Sequence, residues 1–284
     1  MLEALFFIFG IGAWDAGLQS VSIPPVQKKS SEISDIQESW RFFPVIDAKS
    51  VVIMEKHSAQ IVYAQNPHKR LPMASLTKMM TATIILENYS GKEIVEISRA
   101  SHFTDGASMK LEIGEKISIE NLLYGLLIPS GNDAAVALSE YHAGSVYQFA
   151  DEMNERVESL YLQNTHFQNP HGFDAENHYS SANDLALIAK KLLNFPLAKK
   201  IVQTQNITIF SDNKEIAHHL YNTNKLLNTI FPVSGIKTGT TINAGQCLAL
   251  LVKGRSGREY IVVILGSNDR YLDAKTLIWR ILLG

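Results

Sequence analysis

Apolar positions follow two rhythms along this chain, and the alternation between them outlines its architecture. Ser50-Val51-Val52-Ile53-Met54-Glu55 and Gln60-Ile61-Val62-Tyr63-Ala64 are short runs joined by a polar turn, which reads as a hairpin. From Ser75 the pattern lengthens. Ser75–Glu87, Ile119–Leu127, Asn132–Ala143, Val146–Tyr161 and Ala182–Leu193 are predicted helices. Ser181 stands at the cap of the last, with Asp184 three residues on, a capping-box-like start. Short β-rich runs return at Asn206–Phe210, Gln246–Lys253 and Glu259–Leu265, with a turn at Lys253-Gly254-Arg255-Ser256-Gly257-Arg258 between the last two. A closing helix runs from about Leu272 to Leu283, with Leu277, Ile278, Ile281 and Leu282 on one apolar face. The order of strands, helices, strands and helix predicts an α/β (α+β) fold. One antiparallel sheet is assembled from both chain ends and flanked by helices, with an all-helical subdomain inserted between.

Residues before Val45 follow neither rhythm. The segment 1–18 contains an apolar run, Ala4 to Trp14, too short to span a bilayer. Its length suits the core of a signal peptide, but Glu3 is the wrong sign and no Lys or Arg precedes the run. It reads as a signal peptide or an apolar anchor, with a plain core helix as the alternative. Residues 19–44, rich in Ser, Lys, Glu and Pro, read as a linker, and 45–284 as the folded domain. The net charge of −2 offers no electrostatic case for nucleic acid. The single cysteine, Cys247, excludes an intramolecular disulfide and reads as a small buried strand residue. No metal or cofactor is expected. His218 and His219, adjacent in a β-like stretch, point to opposite faces. The chain also lacks His-Glu-x-x-His, a full dinucleotide fingerprint and Gly-x-Ser-x-Gly.

The candidate chemistry lies in three motifs: Ser75-Leu76-Thr77-Lys78, Ser130-Gly131-Asn132 and Lys237-Thr238-Gly239-Thr240. In that order they supply a nucleophile, a base, a proton shuttle and a carboxylate-binding strand, the equipment of a serine enzyme without a His-Asp pair. Decoys show that context matters. Ser234-Gly235-Ile236-Lys237 has the first spacing, but Gly235 and the nearby Pro232 argue against a helix there. Ser75 follows Pro72 in a stretch almost free of helix breakers, so Ser75 and Lys78 share one helical face.

The flanks extend the likeness. Leu71 to Ala82, Leu127 to Ala135, Asn169-Pro170-His171-Gly172-Phe173-Asp174, His178 to Ala186 and Gly235 to Gly239 together resemble low-molecular-weight penicillin-binding proteins of the D-alanyl-D-alanine carboxypeptidase type, from about Val45 onward. The resemblance implies a β-lactamase/transpeptidase-like fold and an exported enzyme of the cell envelope. It would remove the terminal D-Ala from peptidoglycan stem pentapeptides, with β-lactams as covalent inhibitors and any membrane attachment through the N-terminal apolar segment. Ser75 would be acylated, with Lys78 as its base and Lys237 as the neighbouring cation that lowers the Lys78 pKa and attracts the substrate carboxylate. Ser130 would relay a proton to the leaving amine. Asn132 would hold the substrate backbone and orient Lys78. The Ser75 and Thr240 N–H groups would form an oxyanion hole. Thr238 and Thr240 would meet the carboxylate, and Gly239 would let the substrate lie along the strand. His171 and His178 read as structural loop residues or as lining the cleft.

Two departures stand out. Relatives commonly carry a second β-rich domain, for which the sequence after the closing helix leaves no room. Asp269-Arg270-Tyr271-Leu272 also keeps only the first of two arginines frequent in relatives. The alternatives are a β-lactamase, an endopeptidase or transpeptidase acting on cross-links, and a non-catalytic peptidoglycan-binding or β-lactam-sensing module. The first is disfavoured because Glu155, Glu158 and Glu176 lack the setting of a deacylating base.

Overall fold

The computed structural model describes residues 46–283; the expected leader and linker lie outside the described residues. Strands β1 (Ser50–Glu55), β2 (Ile61–Gln65), β7 (Val233–Thr241), β8 (Gly245–Lys253) and β9 (Glu259–Ser267) form one antiparallel sheet, ordered β2-β1-β9-β8-β7. Its inner strands are apolar at nearly every position because both faces are covered. Cys247, Ala249 and Leu251 of β8, with Ile261, Val263 and Leu265 of β9, face the larger core. The intervening Leu248, Leu250, Val252, Val262 and Ile264 face a second core, closed by Ala274, Leu277, Ile278 and Ile281. Those last four belong to the C-terminal helix, Arg270–Leu283.

Between β2 and β7 runs the insertion. A 3₁₀ turn (Ala74–Thr77) leads into α1 (Lys78–Asn88), followed by the short α2 (Arg99–His102), α3 (Ile119–Leu127), α4 (Asn132–Ala143), α5 (Val146–Ser159), α6 (Ala182–Leu192) and α7 (Pro196–Gln203). Helix α8 (Arg270–Leu283) closes the chain. Ser181 caps α6 as expected, accepting from the Asp184 N–H at 3.1 Å. The Asp184 carboxylate does not complete the box. It accepts instead from Asn164 N and Thr165 Oγ1, both at 2.8 Å, and so ties the preceding loop to the helix.

The inserted region is not all-helical. It holds two small antiparallel sheets, β3 (Ile94–Glu96) with β4 (Lys116–Ser118), and β5 (Asn206–Phe210) with β6 (Ala217–Tyr221). Three-residue strands carry too little periodicity to register in the sequence. The strand at Asn206–Phe210 pairs with β6 rather than joining the main sheet. Helix α7 was not among the predicted helices; Pro196 opens it, where its missing N–H costs nothing. Among the described residues no helix is long and apolar enough to cross a membrane.

Candidate active site

The cleft lies where the insertion meets the edge strand β7, with a volume of about 640 Å³. Ser75, Ser130, Thr238, Gly239, Thr240 and Arg270 are among its lining residues. Ser75 occupies the 3₁₀ turn, and Lys78 is the first residue of α1. Their side chains meet, with Lys78 Nζ 3.1 Å from Ser75 Oγ. The turn also sits tightly against β7. A Cβ on Gly239 would lie 2.8 Å from Ser75 N and 3.0 Å from Ala74 Cβ. The glycine therefore serves the close approach of turn and strand, a need separate from the open strand edge beside it.

Lys78 is completely buried. It donates to Asn132 Oδ1 and to the His171 carbonyl, both at 2.6 Å. Asn132 Nδ2 donates to the Asp105 carbonyl at 2.8 Å, which fixes the amide with its oxygen towards Lys78. Burial, and next the charge on Lys237, hold the Lys78 ammonium well below the ordinary lysine range, with Asp133 opposing. A neutral Lys78 has two N–H bonds and one lone pair. Two obligate acceptors, the Asn132 amide oxygen and the His171 carbonyl, take the two N–H bonds. The lone pair is left for the Ser75 hydroxyl, which is the geometry of a general base.

Ser130 follows α3 in a left-handed conformation (φ 70°), and its buried Oγ has no hydrogen-bond partner. Such conformations cost of order 1–3 kcal/mol and gather at functional sites. Lys237 is buried on β7, where its Nζ donates to the Thr238 carbonyl at 3.0 Å. Burial, and then the Arg270 charge, push its pKa down to about 7. Thr238 Oγ1 is 2.6 Å from Thr223 Oγ1.

Arg270 was not among the candidate site residues, yet it completes this end of the cleft. Its guanidinium donates to the Gly239 carbonyl (2.8 Å), the Cys247 carbonyl (3.0 Å) and Thr240 Oγ1. The position expected to hold a second arginine, Leu272, is exposed. The signal for Arg270 was its place directly after the last strand, at the start of α8. Tyr271 Oη donates to the Thr223 carbonyl at 3.0 Å and closes the cleft beside it.

The loop after α5 packs against α1, the 3₁₀ turn and the end of β7. Thr81 Oγ1 donates to the Pro170 carbonyl at 2.7 Å, and Asp174 accepts from Thr241 Oγ1 (2.7 Å) and Asn243 N (3.2 Å). At Gly172 (φ 100°) a Cβ would fall 2.1 Å from the Ala74 carbonyl oxygen. His178 is structural. Its Nδ1 accepts from Gln168 N and its Nε2 faces Thr77 Oγ1, both at 2.9 Å. Burial drives its pKa to about 4, and that of His171 to about 3. Among the described residues no three His, Cys, Asp or Glu side chains gather as a metal site.

All eight candidate residues thus fall on the cleft or directly behind it. A family model described as D-alanyl-D-alanine carboxypeptidase matches residues 38–269. The D-alanyl-D-alanine carboxypeptidase DacF of Bacillus subtilis is 36% identical over 234 residues, which cover 81% of this chain and 60% of that protein. DacA of Haemophilus influenzae is 35% identical over 83% of this chain and 62% of its own length. The chain therefore spans about three fifths of the length of these curated relatives. Among solved structures, the Streptomyces K15 DD-transpeptidase superposes with a TM-score of 0.77 at 28% identity, covering 84% of this chain and 98% of that one.

Proposed function

We propose, for a chain that belongs to the D-alanyl-D-alanine carboxypeptidase family, that it is a serine hydrolase removing the terminal D-Ala from peptidoglycan stem peptides through an acyl-enzyme. The single observation that carries this reading is the Lys78 amine, completely buried and 3.1 Å from Ser75 Oγ, where burial and the Lys237 charge hold its pKa well below the ordinary lysine range. Ser75 Oγ attacks the penultimate D-Ala carbonyl while its proton passes to Lys78. The oxyanion that develops is met by the N–H groups of Ser75 and Thr240, which act only when the charge appears. Ser130, with its unpartnered hydroxyl, hands a proton to the departing amine. The C–N bond breaks, D-alanine leaves and water releases the acyl group.

The substrate lies along the open edge of β7 as an added strand. Its terminal carboxylate meets Thr238, Thr240, Lys237 and Arg270. A carboxylate there offsets the mutual repulsion of the two cations, so substrate binding draws a proton back to Lys237. The folded unit from Val45 is the catalytic domain, and the substrate places it outside the cytoplasm, in the cell envelope. β-Lactams, whose ring amide presents the same carbonyl beside a carboxylate, acylate Ser75.

The test is D-alanine release from a diacyl-Lys-D-Ala-D-Ala peptide, comparing the chain from Val45 with its Ser75→Ala variant. Release that disappears with Ser75 supports the reading. Equal release by both, or penicillin binding without release by either, overturns it in favour of another nucleophile or a binding role.

A further inference from the structure

The most deeply buried ion pair among the described residues lies outside the cleft. His218 Nε2 is 2.7 Å from Glu115 Oε1, and the two side chains are 2% and 0% exposed. The other ring nitrogen, Nδ1, is 3.0 Å from the Met109 carbonyl. The Met109 carbonyl can only accept, and Glu115 accepts too when it is a carboxylate, so the geometry suits a ring protonated on both nitrogens, an imidazolium. A buried pair of this kind costs desolvation and is weak evidence for stability, which raises the question of what it holds in place.

It holds the far side of a loop that contacts the second motif. Asn132 N donates to the Ala107 carbonyl (2.6 Å) and Asn132 Nδ2 to the Asp105 carbonyl. The next residue, Asp133, accepts from Ser108 Oγ (2.6 Å), Met109 N (3.1 Å) and Leu111 N (3.2 Å). The Met109 peptide is therefore gripped on both sides, its N–H by Asp133 on α4 and its carbonyl by His218 on β6. Its side chain fills the space a Cβ on Gly125 would occupy, with Sδ 2.0 Å from that position. The Gly125 carbonyl in turn accepts from Gly131 N at 2.9 Å.

We infer that the His218–Glu115 pair is a positioning device for the proposed reaction. It clamps the 105–111 loop against Asn132 and thereby sets the Lys78 amine. The inference rests on the reading of Lys78 as base. Burial works against charge on His218, but its hydrogen bond and attraction to Glu115, the Met109 carbonyl and Asp133 prevail, and its pKa is raised. Glu115, from the turn before β4, and Asp133, from α4, are the charged groups facing it. His219 lies on the opposite side of the strand, 2.9 Å from Thr208 Oγ1. As pH rises through the raised pKa, one of the two acceptors loses its donor and the clamp slackens.

The experiment measures acylation by a fluorescent penicillin across pH 6–10 for the wild-type chain, His218→Ala and Glu115→Gln, with thermal unfolding alongside. At pH 7, His218→Ala should acylate about 10- to 100-fold more slowly, the loss that displacement of a reacting group by about 1 Å produces. In Glu115→Gln the alkaline loss of rate should begin about one pH unit lower or more, because the partner that kept the imidazolium charged is gone. Wild-type rates and an unchanged pH profile in both variants, whatever happens to Tm, would reduce the pair to packing and overturn the inference. If His218→Ala does not fold, the profile of Glu115→Gln decides. If the wild-type chain does not acylate, the functional reading fails separately. Hydrogen exchange at the Met109 and Asn132 amides, faster in Glu115→Gln if the clamp is real and unchanged if it is not, then judges the clamp alone.

Discussion

Replacing Lys237 with Met should make the protein more stable and less active. The folded state gives up the Lys237 proton near pH 7, whereas the unfolded chain holds it to about 10.4. Between those values the unfolded state binds more protons, so this residue's contribution to stability rises with pH. Below pH 7 its charge therefore costs up to about 5 kcal/mol, at ~1.4 kcal/mol per pH unit. Met fills a similar volume without charge but loses the hydrogen bond to the Thr238 carbonyl, worth about 1.5–3 kcal/mol for a charged donor. The net gain is roughly 2–3 kcal/mol. At about 2–4 °C per kcal/mol, Tm at pH 6 should rise by roughly 5–10 °C, and the difference should reverse by pH 10.5, where only the lost hydrogen bond remains. Acylation at pH 7 should fall about 10- to 150-fold through the lost contact to the substrate carboxylate. Its acidic limb should move to higher pH, because Lys78 loses the neighbouring cation that helps keep it neutral. Calorimetry from pH 6 to 10.5 is the assay. A variant less stable than wild type at pH 6, or a Tm difference independent of pH, would refute the argument that burial of this charge is costly.

Other outcomes follow from the same contacts. Gly172→Ala places a methyl against the Ala74 carbonyl and strains a backbone at φ 100°. It should lower stability by roughly 1–3 kcal/mol or more and slow Ser75 acylation, read by denaturant unfolding and penicillin labelling. The carboxylate of Asp273 accepts from Asp47 N and Ala48 N, both at 3.1 Å, and from Ser267 Oγ at 2.6 Å. Asp273→Ala should cost about 3–5 kcal/mol while leaving the acylation rate of the remaining folded protein nearly unchanged. Asp269 is the carboxylate among the cleft-lining residues, and its Oδ1 accepts the Tyr271 and Leu272 N–H groups. A penicilloyl adduct on Ser75 should therefore persist for many minutes or longer, and rapid turnover in intact-mass measurements would contradict this.

What the sequence made legible tracks how each feature is encoded. Ser75 and Lys78 were readable as a pair because one helical turn fixes their relation, and Asn132–Ala143 and Ile119–Leu127 were found to the residue because Ser118 and the glycine before Asn132 mark clear starts. The doubly covered β8 and β9 announced themselves as unbroken apolar runs. Partnerships across long stretches of chain were not readable. Nothing near Arg270 indicates that its guanidinium reaches Gly239 and Thr240, and nothing near His218 indicates Glu115. The short β3 and β4 owe their existence to neighbours rather than to their own three residues. Gly239 illustrates a subtler gap: the need for a glycine was visible, but the atom it makes room for, Ser75 N, was not.

The antiparallel pairing of β1 with β9, Ser50 against Leu265, also dictates when this molecule can become itself. Of the described strands, the first to be synthesised must wait for the last before its inner neighbour exists. Contacts of such separation slow folding, because loop-closure entropy is spent before they can reward it. The nucleophile and its base lie early in the chain, while Lys237 and Arg270 arrive late. A nascent or truncated polypeptide therefore carries a serine with nothing to activate it fully. On the proposed reading the reactivity of Ser75 is timed by the completion of the sheet, because the second cation that lowers the Lys78 pKa takes its place only when β7 does.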